Sequence, residues 1–362
     1  KLELFFPVTG GDQSHDQSKS FSAHIEIEEG LKTEYLTDAI FNDYGGSSCI
    51  TAAPAGTFDL PSGEEEYVMY KMEDDYGMSY YLRGSEHVNN DIIFGEWVWK
   101  IVRINGDGSI RLIYNGPCPD ADCYAYGFGP ETQIGTSQFN YYDNDNKDIG
   151  YMFGGEGART TSRAQATTNE RSSIIKTYID TWYSNNISGT DYEEYISDTL
   201  FCNDRQLQSE VGGLATGTGF GSSLTCYAGR HRLEVIETNK TPSLKCGLKN
   251  DRFTVDDITI GNGALTYPIG LLTSDEITLA GMMPGYMYKN HYNYLSNYEN
   301  WWSLTPDATN YLYYIDKYES GFGSVNARVD KVNGVRPVIS IKSAVRVTGA
   351  GTMYNPYKVV IS

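Results

Sequence analysis

Residues 96–116 read EWVWKIVRINGDGSIRLIYNG, two apolar runs joined by Asn-Gly-Asp-Gly. Asn-Gly and Asp-Gly tolerate the positive φ that tight hairpin turns demand. A phosphate-cradling loop would instead set Gly106 and Gly108 between a strand and a helix, so that backbone amides and the helix N-terminus meet the phosphate. After Gly108 the chain runs Ser-Ile-Arg-Leu-Ile-Tyr, an alternating stretch with β-branched residues, and therefore a second strand. The motif's third glycine is missing, and no Gly-Lys-Ser/Thr accompanies the pair. The stretch reads as a hairpin, with no case for a nucleotide. Trp97, Trp99, Ile101 and Arg103 share one face, and Val98, Lys100 and Val102 the other.

Strand patterning of this kind begins near Tyr67 and returns in the last thirty or so residues, GVRPVISIKSAVRVTGAGTMYNPYKVVIS. Helical spacing is sparser. Leu31, Tyr35, Leu36, Ala39 and Ile40 predict a helix over 31–42, stopped by Gly45-Gly46. Ile174, Ile175, Tyr178, Ile179 and Trp182 fall on one helical face, with Thr168 or Asn169 as N-cap. LTSDEITLAGMM predicts a short helix capped by Thr273 or Ser274, with Asp275 and Glu276 in its first turn. Residues 117–170 and 202–226 read as irregular insertions. The expectation is an α+β protein of short, mostly antiparallel strands, two or three helices and long irregular insertions. Residues 1–66 form an N-terminal extension and 67–362 the main domain.

The chain carries 47 Asp and Glu against 28 Lys and Arg, a net charge of -19. Such a surface repels nucleic acid and anionic membranes. The six cysteines fit no zinc spacing. Cys118 and Cys123 bracket a short loop, and Cys202, Cys226 and Cys246 sit in a Gly-rich region that would profit from stapling. Disulfides among these five point to an oxidising, extracellular setting. The chain opens Lys-Leu-Glu-Leu without an initiator Met, which leaves room for a membrane anchor upstream of Lys1. The apolar start KLELFFPV has no obvious partner in the domain and is suited to pairing with a neighbour's sheet edge.

Catalytic signals are thin. The five histidines are scattered without ligand spacing, and neither G-x-S-x-G nor H-E-x-x-H occurs. A glycosidase-type carboxylate pair has nothing to localise it. DNDNKD, with Asp143, Asp145 and Asp148, spaces carboxylates and amides as calcium loops do, but Lys147 occupies a ligand position and no Glu falls at the twelfth. No cofactor is expected, with calcium at these three aspartates the one alternative. The 30 tyrosines are the anomaly. Tyr288, Tyr292, Tyr294, Tyr298, Asn300, Tyr311, Tyr313 and Tyr314 crowd into residues 286–326, beside Trp301 and Trp302. Rings to stack on, with amides to hydrogen-bond, are what a sugar or peptide surface requires. One of the two tryptophans is expected to be buried.

Four stretches carry a resemblance: YYLRGSEHVNNDIIFGEWVWKIVRINGDGSIRLIYNG, YIDTWYSNN with YISDTLFCNDR, LTYPIGLLTSDEITLAGM, and WWSLTP with GVRPVISIKSAV and GAGTMYNPYKV. Together they resemble a family of surface proteins from Gram-positive gut bacteria. Trp301, Trp302, Ser303, Pro306, Gly334, Arg336 and Pro337 are similar to the terminal motif of the C-type-lectin-like fold. Formylglycine-generating-enzyme-like proteins and hypervariable bacterial ligand binders share that fold. The resemblance implies a C-type-lectin-like core over 67–362. The enzymes of that fold need reactive cysteines near the C-terminus, whereas the last cysteine here is Cys246, so the resemblance implies binding rather than catalysis. The resulting expectation is a non-enzymatic protein of the bacterial cell surface. It would bind a glycan or a surface protein through the Tyr/Trp/Asn-rich loops. The alternative is a structural subunit of a surface filament or layer, its partners being copies of itself.

Overall fold

Trp97–Ile104 is buried along its whole length, with strands along both edges and side chains packed over both faces. One edge pairs with Ile110–Pro117 across the turn, and the other is divided. Trp97 to Lys100 pair with Asp91–Phe94, while Arg103 and Ile104 pair with Met78–Gly84. In the computed structural model the described residues are 33–46, 51–52, 67–119, 123, 127–141, 146–155, 160–208, 225–235, 240–283, 292–308, 311–317 and 326–361. Around the central strand they build a ten-stranded sheet. Beyond Met78–Gly84 lie Tyr67–Glu73 and Thr51–Ala52; beyond Asp91–Phe94 lie Tyr357–Val359, Arg346–Thr348 and Glu34–Tyr35. Val338–Ile341 closes the far side of Ile110–Pro117. A second sheet of five strands runs Asn326–Arg328, Tyr311–Ile315, Trp301–Pro306, Val332–Gly334, Thr136–Gln138. Pairings are mostly antiparallel, so the α+β class holds.

The hairpin turn is as its chemistry requires. Gly108 has φ 86° and its N–H donates to the Asn105 carbonyl, 2.9 Å. Gly106 is needed for a different reason, close approach: a Cβ there would collide with the Asp74 carboxylate and the Gly77 backbone. The Asp74 carboxylate accepts the N–H groups of Tyr76, Gly77 and Gly106 at 2.8, 3.0 and 2.9 Å, tying two turns together.

Three helices of six residues or more occur among the described residues: Leu36–Asp43, Ile174–Asn186 and Ser274–Leu279. The first begins at Leu36 rather than 31, because Glu34–Tyr35 is drawn out into a strand against Arg346 and Val347. Leu36, Ala39 and Ile40 are buried in the main core, and the compact body runs from Thr33 rather than from Tyr67. Ile174–Asn186 is capped by Ser173, whose side chain accepts the Lys176 N–H, and not by Thr168 or Asn169. The reason is competition: Arg171–Ser172 pairs with Met152–Phe153, and Asn169 takes a left-handed φ of 60° with its amide on the Asn250 carbonyl. The inward stripe of that helix is Ile175, Ile179 and Tyr183, while Ile174, Tyr178 and Trp182 lie one step round, half-buried. Thr273 caps the third helix and completes a capping box with Glu276.

Cys118 bonds to Cys123, and Cys202 to Cys246. No helix among the described residues is long and apolar enough to cross a membrane. The two glycines of the turn separate two kinds of cost. Gly106→Ala, which must displace Asp74, is expected to lower unfolding stability by about 2–4 kcal/mol. Gly108→Ala, which meets only a left-handed φ, should cost about 1–2 kcal/mol. Urea unfolding of both variants measures the difference.

Candidate binding pocket

The ring-rich segment divides between core and surface. Tyr288 lies outside the described residues. Tyr292 and Tyr298 are exposed, at 43% and 44%. Tyr294, Tyr313 and Tyr314 are buried, at 2%, 0% and 8%, and cannot present a stacking face on the outer surface. The reason is register: Tyr311–Ile315 is an inner strand of the second sheet, flanked by Trp301–Pro306 and Asn326–Arg328, so its rings fill the interior. Tyr311 is half-buried there. Asn300 serves the backbone, its Oδ1 accepting the Lys317 N–H at 2.8 Å and its carbonyl accepting from Gly334 and Gln133. Both Trp301 and Trp302 are fully buried. Of the calcium candidates, Asp143 and Asp145 lie outside the described residues. Asp148 is turned inward, accepting from Arg171 Nη2 and Thr160 Oγ1, both at 2.5 Å.

Tyr294 and Tyr298 do meet in a pocket of about 340 Å³ on the Lys100 side of the central strand. Tyr294, Ser296 and Lys100, all buried, form its floor, and Phe128, Tyr298 and Met353 its walls. Glu86 and His87 stand exposed at the rim. Lys100 is spent on Asp91, Nζ to Oδ1 2.8 Å, so the floor carries a closed ion pair rather than a bare charge. Burial pushes the Asp91 carboxyl above its ordinary range, and Lys100 opposes it. The Tyr294 hydroxyl donates to the Leu82 carbonyl at 3.2 Å. The walls are aromatic, the Phe128 and Tyr298 rings lying 5.2 Å apart.

The loop that carries the tyrosines is fixed from several sides. The Asn293 amide donates to the Gly84 and Ala280 carbonyls at 3.0 and 2.7 Å, and the Asn297 amide to Thr132 Oγ1 at 2.8 Å. Gly129 N–H reaches the Asn297 carbonyl at 3.0 Å. Arg336 Nη1 holds the Leu295 carbonyl at 2.7 Å. These clamps keep Tyr298 at φ 58°, a left-handed backbone that a bulky side chain adopts only when its surroundings impose it. The product is a rigid, amphipathic hollow suited to recognition. Glu86, His87, Phe128, Ser296 and Met353 carry no signal in the sequence that would assign them to a pocket. Lys100 carries a local one, a lysine inside an apolar strand.

The strongest electrostatic cluster lies elsewhere. Arg103 and Arg111 face each other across the hairpin, and Glu276 Oε1 sits 3.1 Å from Arg103 Nε and 3.7 Å from Arg111 Nε. Arg103 Nη1 also reaches Asp74 Oδ2 at 2.8 Å. Arg232 is shared between Asp204 and Asp275, at 2.6 and 2.7 Å. The space between these groups is about 20 Å³, room for a water and no ligand, so the cluster is scaffold. Burial pushes Glu276 up, but Arg111 and Arg103 outweigh it and hold the carboxyl below its usual value. Asp204 goes the other way. Burial, with the negative charges of Asp275 and Asp251, outweighs Arg232 and leaves it at about 7 instead of 3.8.

The folded state therefore binds the Asp204 proton more tightly than the unfolded chain does. Its contribution to stability is full below 3.8 and is lost as pH rises through about 7. Asp204→Asn is expected to remove that fall, so that its melting temperature relative to wild type improves between pH 4 and pH 8. A difference that stays flat across this window would show that Asp204 titrates normally. No family model matches the chain, and neither does any curated protein or solved structure.

Proposed function

We propose that the protein is an extracellular, non-enzymatic binding protein of the bacterial surface. Its ligand, a glycan or a group on a surface protein, enters the Phe128–Tyr298 pocket. The observation that carries this is Tyr298 itself: an exposed ring on a left-handed backbone, in a loop held by Asn293 and Asn297, at the mouth of a formed cavity. Strain of this kind is retained where the surroundings over-determine it, and such places cluster at ligand clamps. The two disulfides suit an oxidising setting. A C-type-lectin-like core is supported by the way its terminal-motif residues come together. Trp301 pairs with Gly334, and the Arg336 guanidinium lies 5.1 Å from the Trp301 ring centre. Recognition here rests on rings and hydroxyls and needs no metal.

Tyr298→Gly relieves the backbone while deleting the ring, so the fold should survive it. On a glycan array and in pull-downs with surface proteins, this variant is expected to bind about ten- to a hundredfold more weakly than wild type. Chelation with EDTA is expected to change nothing. Equal binding by wild type and Tyr298→Gly would refute the pocket, and ordered polymers of the purified chain in electron micrographs would favour a filament subunit.

A further inference from the structure

Neighbouring residues of a strand point to opposite faces. Lys100 faces the pocket; Trp97 and Trp99 face the Ile174–Asn186 helix. There they meet Trp182, whose ring lies 5.3 Å from Trp97, 6.3 Å from Trp99 and 5.8 Å from Tyr114, each edge to face. Trp182 is only half-buried by these contacts. Its outer side lines an open groove of about 470 Å³ with Tyr141, Thr177, Tyr178, Thr181 and Asn185.

We propose that this groove is a second site, for a neutral oligosaccharide, distinct from the Phe128–Tyr298 pocket and independent of it. Charge sets the class of ligand. In a chain of net charge -19, none of the described residues lining the groove is an Asp, Glu, Lys, Arg or His. The nearby ion pair of Lys176 with Asp180 closes on itself. Among the described residues a charged ligand finds no counter-charge, and a purely apolar one would cover hydroxyls and amides at a loss.

The polar groups are those a sugar needs. Thr177 and Thr181 donate their hydroxyl hydrogens back to the carbonyls of Ser173 and Thr177, at 3.1 and 2.7 Å, which leaves lone pairs as acceptors. The Asn185 side-chain amide and the Trp182 indole N–H make no hydrogen bond among the described residues. Two hydroxyl acceptors and an amide therefore line one helical face, at i, i+4 and i+8 from Thr177. The rings are set in advance. Trp182 is wedged by three aromatic neighbours. The Tyr178 hydroxyl donates to the Ile134 carbonyl at 3.2 Å, over Gly135, where a Cβ would strike it. Pyranose rings stack their C–H faces on such surfaces at little entropic cost, because the aromatic side is already ordered.

The test titrates the full chain with cellohexaose, xylohexaose, laminarihexaose and chitohexaose, and with oligogalacturonate as the charged comparison, by calorimetry. At least one neutral hexamer is expected to bind, and oligogalacturonate is not. Asn185→Ala and Tyr141→Ala are each expected to weaken binding about three- to tenfold. Tyr141 is 73% exposed, so its loss should leave the fold intact. Tyr298→Gly is expected to leave hexamer binding unchanged. The proposal fails if no neutral hexamer binds, if oligogalacturonate binds as well, or if Tyr141→Ala and Asn185→Ala both match wild type. A loss confined to Tyr298→Gly would also overturn it, and would place the sugar in the pocket.

Discussion

Two arginines buried side by side set the terms for the structure. Arg103 and Arg111 are Cα partners in adjacent strands and only 6% and 1% exposed. Like charges directly opposite are unfavourable even on a surface, and in the interior they demand carboxylates. Glu276 answers from the Thr273-capped helix and Asp74 from the neighbouring turn. The same Asp74 carboxylate binds the hairpin amide at Gly106, and the same Glu276 closes a helix cap. Ion pairs of this kind add little net stability against an apolar equivalent, but removing one partner strands a charge. They act here as a register device, fixing how the hairpin, the turn and the helix meet.

Once that register is fixed, the central strand becomes a partition between two surfaces. On one side its even-numbered residues support a pocket with an ion pair in its floor. On the other its tryptophans buttress a ring on a helix. Neither surface belongs to one segment of chain. The pocket draws on residues near 86, 100, 128, 296 and 353. The groove is mostly one helix face, yet its aromatic support comes from the sheet beneath.

This explains what the sequence disclosed and what it withheld. The Asn105–Gly108 turn, the Thr273 cap and the Cys118–Cys123 loop are local chemistry, readable within a few residues. The Ser173 cap is hidden because Arg171–Ser172 is claimed by a distant strand, a tertiary preference that no window over 168–174 contains. Tyrosine is the hardest to place. It has an apolar body and a polar tip, so the same residue fills a core at Tyr313 and stands at a pocket mouth at Tyr298. Composition marks the right region of the chain, but the pairing of Tyr311–Ile315 decides which rings face water.

The Cys118–Cys123 bridge bears on this in another way. Cys118 is buried with Ile93 and Val98, and Met353, a wall of the pocket, packs against the same cluster. The bridge thus ties the chain leaving the central hairpin to the cluster behind the pocket, four residues before Gly127. Thiols would open this bridge together with Cys202–Cys246, so the pocket wall and the fold would lose a staple at once. Ligand affinity and foldedness would then both report the redox state of the compartment in which the chain is held.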